Sequence, residues 1–298
     1  MVLAVAIERF LQYLEREKRY STNTIVAYQA DLQQFSDYLS EQYNVESSEL
    51  IDSHMIRSWL AGFMQQGQAK STVNRKLSTL KTFFRFSKKN NFIGSNPLER
   101  LLGVKKDAML PGFVPEDKMQ LLLDRSAFEP GFKGLRDFLV LEFFYTTGMR
   151  LSELCNLRLT DIDTDQLMVK ITGKRNKQRL VPLLDHVAGV YKEYLEHRDK
   201  EFSVLTHSQV FVTDKGAPVH PKFIYRLVND YLGKVTTLRK KSPHMLRHSF
   251  ATHLLNQGAD LNAIKEILGH SNLSATQVYT HNSVEKIKRI YKLAHPKA

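Results

Sequence analysis

Cysteine is almost missing from this sequence, which contains one cysteine, Cys155, among 298 residues. A single thiol cannot form an internal disulfide, and it offers none of the paired spacings of a zinc site. Cys155 lies in the short apolar run 154–157, so we expect a buried thiol with a structural role.

Long apolar stretches are missing as well. No run of about 20 apolar residues is present, as a membrane-spanning helix requires. The first seven residues are mostly apolar, but Glu8 ends that run before it reaches the length of a signal-peptide core. We therefore expect a cytoplasmic protein that does not enter a membrane.

Acidic residues are scarce relative to basic ones, with 31 Asp and Glu against 43 Lys and Arg, a net charge of +12. Such a charge favours polyanionic partners, and nucleic acid is the first of these. On charge alone, a basic protein without such a partner is the alternative. Hydrophobic residues make up 42% of the chain, enough for packed cores, and the length predicts two domains of ordinary size.

The stretch 242–280 carries four polar side chains that suit chemistry at a phosphate group: His244, Arg247, His270 and Tyr279. Ser242 and Pro243 predict the start of a helix, because serine caps helices and proline fits the first turn. His244 and Arg247 are three residues apart and therefore share one face of that helix.

A second helix is predicted over Leu261–Leu268, and Gly269 ends it. His270 is then the first residue of a loop, and Tyr279 follows nine residues later. Two of the four side chains thus lie near the start of one predicted helix, and the other two follow the end of the next. All four fall within residues 242–280.

The four residue types suit one reaction. Arginine offers a planar, permanently charged fork that matches a phosphate, and imidazoles donate hydrogen bonds or move protons. A tyrosine hydroxyl, with a pKa of about 10, becomes a nucleophile when fixed cations stabilise the phenolate. Singly, a surface His-x-x-Arg pair or a tyrosine near a C-terminus is more often structural. Together they indicate covalent attack on a phosphodiester without a metal ion.

The string His244-x-x-Arg247, then Leu268–His270, then Tyr279–Thr280, resembles the C-terminal motifs of the tyrosine recombinases of the phage integrase family. The resemblance is to the Xer type in particular. Together with two upstream motifs it extends over essentially the whole chain, and five separated motifs in the expected order make it specific.

The two upstream motifs supply further residues. Residues 146–154 resemble the first-arginine motif of the family, which carries Arg150. Residues 173–179 resemble its β-hairpin lysine motif, which carries Lys174, although the family usually has a small residue where this chain has Arg175. Other basic residues of the same segment keep the choice of cation open: Arg175, Lys177 and Arg179.

The resemblance implies a metal-free and cofactor-free mechanism. Tyr279 would attack the scissile phosphate, giving a 3′-phosphotyrosyl bond and a free 5′-hydroxyl. Arg150 and Arg247 would hold the nonbridging oxygens. The bond energy stays in the covalent link, so no ATP is expected. The histidines around residue 244 lack the acidic ligands of a metal nuclease.

The remaining site residues would move protons or hold the arginines. His244 would act as base toward the tyrosine or as phosphate donor, and His270 would donate to the phosphate. Lys174 would protonate the departing 5′-oxygen. Glu153, one turn after the first arginine, is a possible accessory residue that orients a neighbouring cation, and a plain ion pair at this spacing is the alternative.

The predicted fold is mainly α with a small β-sheet, an α+β catalytic domain. Helical periodicity predicts four helices within residues 1–90, and the resemblance implies that they form a core-binding domain of the SAM-like kind. Residues 91–115, rich in glycine and proline, are predicted to be a linker. Residues 116–298 would form the catalytic domain, and the resemblance implies a C-shaped two-domain clamp on DNA.

In the second domain, a strongly apolar helix over 135–145 predicts the central core helix, ended by Gly148. A β-hairpin is predicted from strands 167–172 and 178–182, and a short strand from 210–213. The closing helix, 284–293, could dock on its own domain, whereas the resemblance implies docking into a neighbouring protomer.

Two basic surfaces are candidate DNA contacts. One face of the helix predicted over 70–89 suits a DNA groove, and a solvated basic face is the alternative. A second patch leads directly into the helix of His244. The predicted contacts are Lys70, Asn74, Lys81, Arg85 and Lys88 on the first surface and Arg239, Lys240 and Lys241 on the second.

The resemblance implies a site-specific recombinase that resolves chromosome dimers through a Holliday junction at a dif-like site. Its partners would be a double-stranded DNA recombination site, a tetramer of itself or of a paralogue, and a DNA translocase. The alternatives are an integrase or transposase of a mobile element, a type IB topoisomerase-like enzyme, and a DNA-binding relative without catalysis. Integrases often add an arm-binding domain, for which there is no length before Ile7, and this favours the Xer type.

Overall fold

The protein, analysed as a computed structural model, is described at residues 1–105, 112–173, 176–269, 291 and 294–297. Two compact units divide it, Met1–Met109 and Leu110–Ala298, and each has its own hydrophobic core. Helices dominate the described residues, together with a three-stranded sheet. The predicted class, mainly α with a small sheet, is confirmed. Three predicted site residues lie outside the described part: Lys174, His270 and Tyr279.

Four helices build the first unit: α1 (Leu3–Arg16), α2 (Thr22–Tyr43), α3 (Ser53–Gln65) and α4 (Lys70–Lys89). Asp52 begins α3 by accepting a hydrogen bond from the Met55 N–H at 2.9 Å, the usual role of an aspartate at a helix start. Asn44 ends α2 in the left-handed conformation. The four helices predicted from apolar periodicity are thus present.

The segment predicted as a linker, 91–115, packs in large part on the two cores. Phe92, Ile93 and Leu98 are buried in the core of the first unit. Val114 is fully buried in the second unit, where its N–H donates to the Ser249 hydroxyl at 2.8 Å. Glycine and proline turn the chain here, but the apolar residues between them still pack. The boundaries read from composition are therefore too wide for a linker.

Seven helices build the described part of the second unit: α5 (Glu116–Leu122), α6 (Phe132–Thr147), α7 (Leu151–Cys155), α8 (Asp185–Glu201), α9 (Pro221–Val235), α10 (Pro243–Asn256) and α11 (Leu261–Leu268). Nearly every residue of α6 is buried, so the prediction of a central core helix is confirmed. Gly148 ends α6 with a φ of 59°. A Cβ at this position would lie 2.6 Å from the Phe250 ring, so only glycine fits both the backbone and the packing.

The sheet is antiparallel, in the order β1 (Ile162–Asp163), β2 (Met168–Thr172) and β3 (Gln178–Pro182). Strands β2 and β3 form the predicted hairpin, in register from Met168 opposite Pro182 to Thr172 opposite Gln178. The predicted strand 210–213 is not formed. Val212 makes only an isolated bridge to Pro218, because the short run has no neighbouring strand along its length.

The described residues near the C-terminus pack on their own unit. Tyr291, Ala294 and His295 are buried, and the Tyr291 hydroxyl donates to the Thr146 carbonyl at the end of α6. Of the predicted closing helix, 284–293, only Tyr291 lies among the described residues, so where that helix docks stays a prediction. Among the described helices, none has the length and apolarity needed to cross a membrane.

Candidate active site

The C-terminal end of α11 gathers three arginines. Its last carbonyls lack partners within the helix and lie at the negative end of the helix dipole, so they attract cationic donors. The cap residue Gly269 has a φ of 66°, which turns the chain away from the helix axis. Each carbonyl from 267 to 269 accepts from a different guanidinium: Ile267 from Arg179 at 2.7 Å, Leu268 from Arg247 at 2.6 Å, and Gly269 from Arg150 at 3.4 Å.

Glu153 joins two of these arginines. Its carboxylate accepts from both terminal nitrogens of Arg179, at 3.0 and 2.8 Å. It also accepts from Arg150, from the side chain at 2.8 Å and from the backbone N–H at 2.7 Å. Glu153 thus holds Arg150 at the start of α7, while its accessory role in a reaction stays a prediction.

The Glu153 side chain is only 3% exposed. Burial by itself would raise the pKa of this carboxyl, but the hydrogen bonds and charge of Arg179, with the donors of Arg150, lower the pKa to about 2. Glu153 is therefore ionised throughout the neutral range. Removing one partner of such a buried pair typically destabilises a protein by about 3–5 kcal/mol.

Arg247 lies one turn into α10, the helix predicted to carry it, and is buried. Its guanidinium donates to the Gly148 carbonyl and to the Leu268 carbonyl, and so connects the end of α6 to the end of α11. Burial first, and then the charges of Arg150 and Arg179, lower the pKa of Arg247 to about 10. The group stays charged at neutral pH, in surroundings that would favour an added anion.

A cleft of about 480 Å³ lies in front of these arginines. His244, in the first turn of α10, is exposed at its wall. Arg150 is 36% exposed, so its guanidinium reaches both Glu153 and the cleft. The polar side chains that line the cleft are Arg150, Ser152, Tyr225, Ser242, His244 and Arg247.

Three of the six predicted catalytic residues, Arg150, His244 and Arg247, thus meet at one cleft. The other three lie outside the described residues, but the chain immediately before two of them is described. Gly269, which precedes His270, lies at the arginines. Gly173, which precedes Lys174, is so near the Glu153 carboxylate that an added Cβ would lie 3.2 Å from Oε1.

The predicted DNA contacts divide into exposed and engaged side chains. Arg85, Lys88, Arg239 and Lys240 are exposed, and Lys70, Lys81 and Lys241 are half-buried. Asn74 does not fit its predicted role. Its amide donates to the Val104 carbonyl at 2.8 Å and accepts from the Val104 N–H at 2.9 Å. This pair of bonds occupies the side chain in holding residue 104 against α4.

The sequence offers Arg179 only as an alternative to Lys174 for the cation of the hairpin motif. In the structure it lies at a buried position of strand β3. It is 5% exposed and pairs with Glu153. Its position on β3 carries a signal for this, because the side chains of residues 179 and 181 point to the same face of the strand and Val181 is fully buried. An arginine at an inward strand position indicates a buried ion pair.

The other titratable groups noted in the sequence are structural. The Cys155 thiol is buried, and burial raises its pKa to about 11. His253 is buried beside the Tyr145 hydroxyl, 2.9 Å from its Nδ1. Within the described ranges, no three His, Cys, Asp or Glu side chains form a group that could hold a metal ion.

Comparison with known proteins agrees with this geometry. Residues 113–286 match the phage integrase family, and residues 7–91 match the phage integrase N-terminal SAM-like domain. The chain is 37% identical over 300 residues to the tyrosine recombinase XerC of Halalkalibacterium halodurans, covering 98% of this chain and 97% of that protein. It is 36% identical over 293 residues to the tyrosine recombinase XerD of Staphylococcus aureus, covering 98% and 99%.

Among solved structures, the fold is similar to that of the XerH site-specific recombinase bound to a palindromic difH substrate in a post-cleavage complex. The TM-score is 0.73 at 24% identity, covering 98% of this chain and 82% of that one. With both family models matched in order along the chain, and with curated relatives over nearly its full length, the chain belongs to the phage integrase family of tyrosine recombinases.

Proposed function

We propose that this protein cuts and rejoins DNA at a specific site through a phosphotyrosine link, and that it resolves chromosome dimers at a dif-like site. The observation that carries the proposal is the cleft at which Arg150, His244 and Arg247 meet. Arg150 and Arg247 both line the cleft, and the nearby Glu153 carboxylate is bound by Arg150 and Arg179, so the three arginines exceed the one carboxylate in charge. A phosphodiester supplies the anion that this arrangement lacks.

The two arginines of the cleft would bind the nonbridging oxygens of the scissile phosphate. Arg247 is already fixed by the Gly148 and Leu268 carbonyls, and Arg150 by Glu153. Charge that is held in place before the reaction stabilises the transition state without reorganising. Because the pKa of Arg247 is about 10, this guanidinium remains cationic at neutral pH and would balance phosphate charge without a metal ion.

The covalent step would be an in-line displacement. The Tyr279 oxygen forms a bond to phosphorus, and the bond from phosphorus to the 5′-oxygen breaks. His244 takes the proton of the tyrosine or donates to the phosphate, and His270 donates to a nonbridging oxygen. Lys174 gives its proton to the departing 5′-oxygen. A 5′-hydroxyl of a partner strand then reverses the attack and restores the phosphodiester.

The domain roles also belong to the proposal. Residues 1–90 would form the core-binding domain and residues 116–298 the catalytic domain. The basic side chains of α4 and the patch before α10 would contact phosphates. Asn74 is left out of this surface, because Val104 occupies its amide.

Assembly is proposed on the same basis. Curated relatives of nearly equal identity include both XerC and XerD proteins, which supports a tetramer on synapsed DNA that contains this chain, with or without a paralogue. A DNA translocase would act as a further partner. An integrase of a mobile element is the second candidate, since the same cleft would serve it. A topoisomerase-like enzyme would rejoin the same strand instead of exchanging partners.

The experiment recovers DNA that is covalently attached to this protein in its own cells under denaturing conditions, and sequences it beside a Tyr279→Phe strain. We expect tyrosine-dependent adducts concentrated at one chromosomal locus. Adducts at the ends of a mobile element would instead make it an integrase. Adducts scattered over the chromosome would indicate a topoisomerase-like enzyme. Adducts that persist in the Tyr279→Phe strain would contradict the proposal.

A further inference from the structure

The third arginine of the α11 cluster, Arg179, does not line the cleft, yet its position and its contacts connect it to three segments that carry proposed catalytic residues. Its own strand, β3, begins four residues after Lys174 in the sequence. Its Nε donates to the Ile267 carbonyl at 2.7 Å, three residues before His270. Its terminal nitrogens bind Glu153, which holds Arg150.

From these contacts we infer that Arg179 is a positioning residue for the recombinase reaction. It fixes the Arg150 guanidinium through Glu153, and it fixes the end of α11 through Ile267. This role rests on the proposed function for its effect on DNA cleavage. The positioning itself is a property of the protein without DNA.

The chemistry of the Glu153 carboxylate supports the inference. A carboxylate this deeply buried is ionised only because donors surround it, and Arg179 supplies two of the four that contact it. Without Arg179, burial would favour the protonated acid. A protonated Glu153 loses its charge pairing with Arg150, so that the arginine is no longer held in one orientation at the cleft.

The packing around Gly269 points the same way. An added Cβ at Gly269 would lie 3.1 Å from the Arg179 Cδ. The arginine stem therefore lies against the backbone of the residue that precedes His270. A shorter or more mobile side chain at 179 would leave space beside this turn, and a displacement of about 1 Å in a catalytic group costs about a hundredfold in rate.

The test compares Arg179→Met and Arg179→Lys with a matched control, Arg136→Met. Arg136 is a buried arginine of the same unit, 4% exposed, that pairs with Asp137 and Asp214 away from the cleft. Loss of the Arg136 side chain should lower the stability of the folded protein in a similar way, but it does not remove any hydrogen bond of Glu153. The double variant Glu153→Met with Arg179→Met replaces both members of the ion pair by apolar side chains. It therefore leaves no unpaired charge in the interior that would destabilise the fold.

The first readout uses the full-length protein without DNA. Hydrogen exchange of the Arg150 amide reports the Glu153 carboxylate directly, because this N–H donates to it. We expect the amides of Arg150 and Gly269 to lose protection in Arg179→Met and to keep it in Arg136→Met. Unchanged protection at Arg150 in Arg179→Met would overturn the inference whatever the protein does to DNA.

The second readout is the rate of adduct formation at saturating DNA, with a nicked duplex of the sequence to which the wild-type protein attaches in cells. We expect a loss of about tenfold to a hundredfold in Arg179→Met, with unchanged DNA affinity and partial rescue by Arg179→Lys. The rates are compared from about pH 7.5 down to about pH 5.5, and the ratio of the Arg179→Met rate to the wild-type rate should fall as the pH is lowered, because burial without Arg179 raises the pKa of Glu153.

The ratio of the double-variant rate to the wild-type rate should not change with pH, because the double variant has no Glu153 carboxylate to protonate. Equal rates for Arg179→Met and the wild type across this pH range would overturn the inference. Failure of the wild-type protein itself to form an adduct would count against the proposed function, and the exchange of the Arg150 amide would still decide whether Arg179 positions it.

Discussion

At the scale of single residues, two of the three histidines of α10 differ in their position relative to the cleft. His244 is exposed in the first turn and lines the cleft with Arg247. His248 lies one turn later, half-buried, and does not line the cleft. Both residues have the same chemistry, so any difference between their variants reports the geometry of the cleft and not the loss of an imidazole from the helix.

We therefore predict that His244→Gln slows adduct formation by about a hundredfold, the low end of what a positioned acid–base group contributes. His248→Gln should keep the wild-type rate within about twofold, and both variants should bind DNA normally. The measurement is the rate of covalent attachment at saturating DNA. Equal losses in the two variants would mean that the cleft has been assigned wrongly.

Glycine and arginine positions show how far the sequence predicts the site. Gly148 and Gly269 were predicted as helix stops from their place after apolar helices, and the structure bears this out. The partner of Glu153 could not be predicted in this way. Arg179 is 26 residues further along the chain, and only the register of β3 against β2 and the packing of α11 bring the two together.

At the scale of elements, the sequence predicts the helices whose apolar residues recur with a clear helical period. It does not predict segments in which that period is weak. Helix α8, Asp185–Glu201, was not predicted, because its buried positions include Arg198 beside valines and tyrosines and its apolar stripe is poorly defined. Glycine and proline predict a linker over 91–115, whereas apolar residues within 92–104 pack on the first core. Asn74 illustrates the same limit, since its partner lies 30 residues away.

The C-terminal segment depends on one buried histidine. His295 packs against the Tyr291 ring and its Nε2 lies 3.4 Å from the Tyr145 carbonyl. Burial lowers the pKa of His295 to about 4 from an ordinary value of 6.5, despite the nearby Glu142, with Lys297 and His186 adding smaller effects in the same direction as burial.

The sign of the pH dependence follows from this shift. His295 binds fewer protons when the C-terminal segment is packed on its unit than when it is released. The packing is therefore fully stable above about pH 6.5 and loses stability as the pH falls toward 4. The loss reaches at most about 3 kcal/mol. We predict that the peptide covering 291–297 exchanges its amides faster at pH 5 than at pH 7.5, after correction for intrinsic rates.

His295→Phe is the control for this effect, because it keeps an aromatic ring beside Tyr291 and removes the titration. In this variant the corrected exchange rate should be the same at both pH values. A pH difference that survives the substitution would place the titrating group elsewhere.

At the scale of the whole molecule, the net charge of +12 favours DNA binding, and the affinity for DNA should fall as the salt concentration rises. Each cation that contacts a phosphate releases counterions, so the slope of log affinity against log salt counts such contacts. Arg85 is exposed on α4, within the predicted DNA surface, whereas Arg16 is exposed at the end of α1, outside it.

We predict that Arg85→Gln reduces the magnitude of the salt slope by about one and weakens binding to all sequences alike. Arg16→Gln should leave the slope unchanged. Asn74→Ala should also leave the slope unchanged while it loosens the chain near Val104, because its amide binds backbone there. The measurement is a titration of a DNA duplex at several salt concentrations. Equal slopes for Arg85→Gln and the wild type would remove α4 from the DNA surface.

The central claim is that one tyrosine becomes joined to a 3′-phosphate at the arginine cleft. The most direct measurement digests the covalent complex with trypsin, identifies the DNA-linked peptide by mass spectrometry, and tests whether the released DNA end accepts a phosphate from a kinase without prior phosphatase treatment. We predict that the link lies on Tyr279 and that the free end is a 5′-hydroxyl. A link on another residue, or a 5′-phosphate at the free end, would contradict the account.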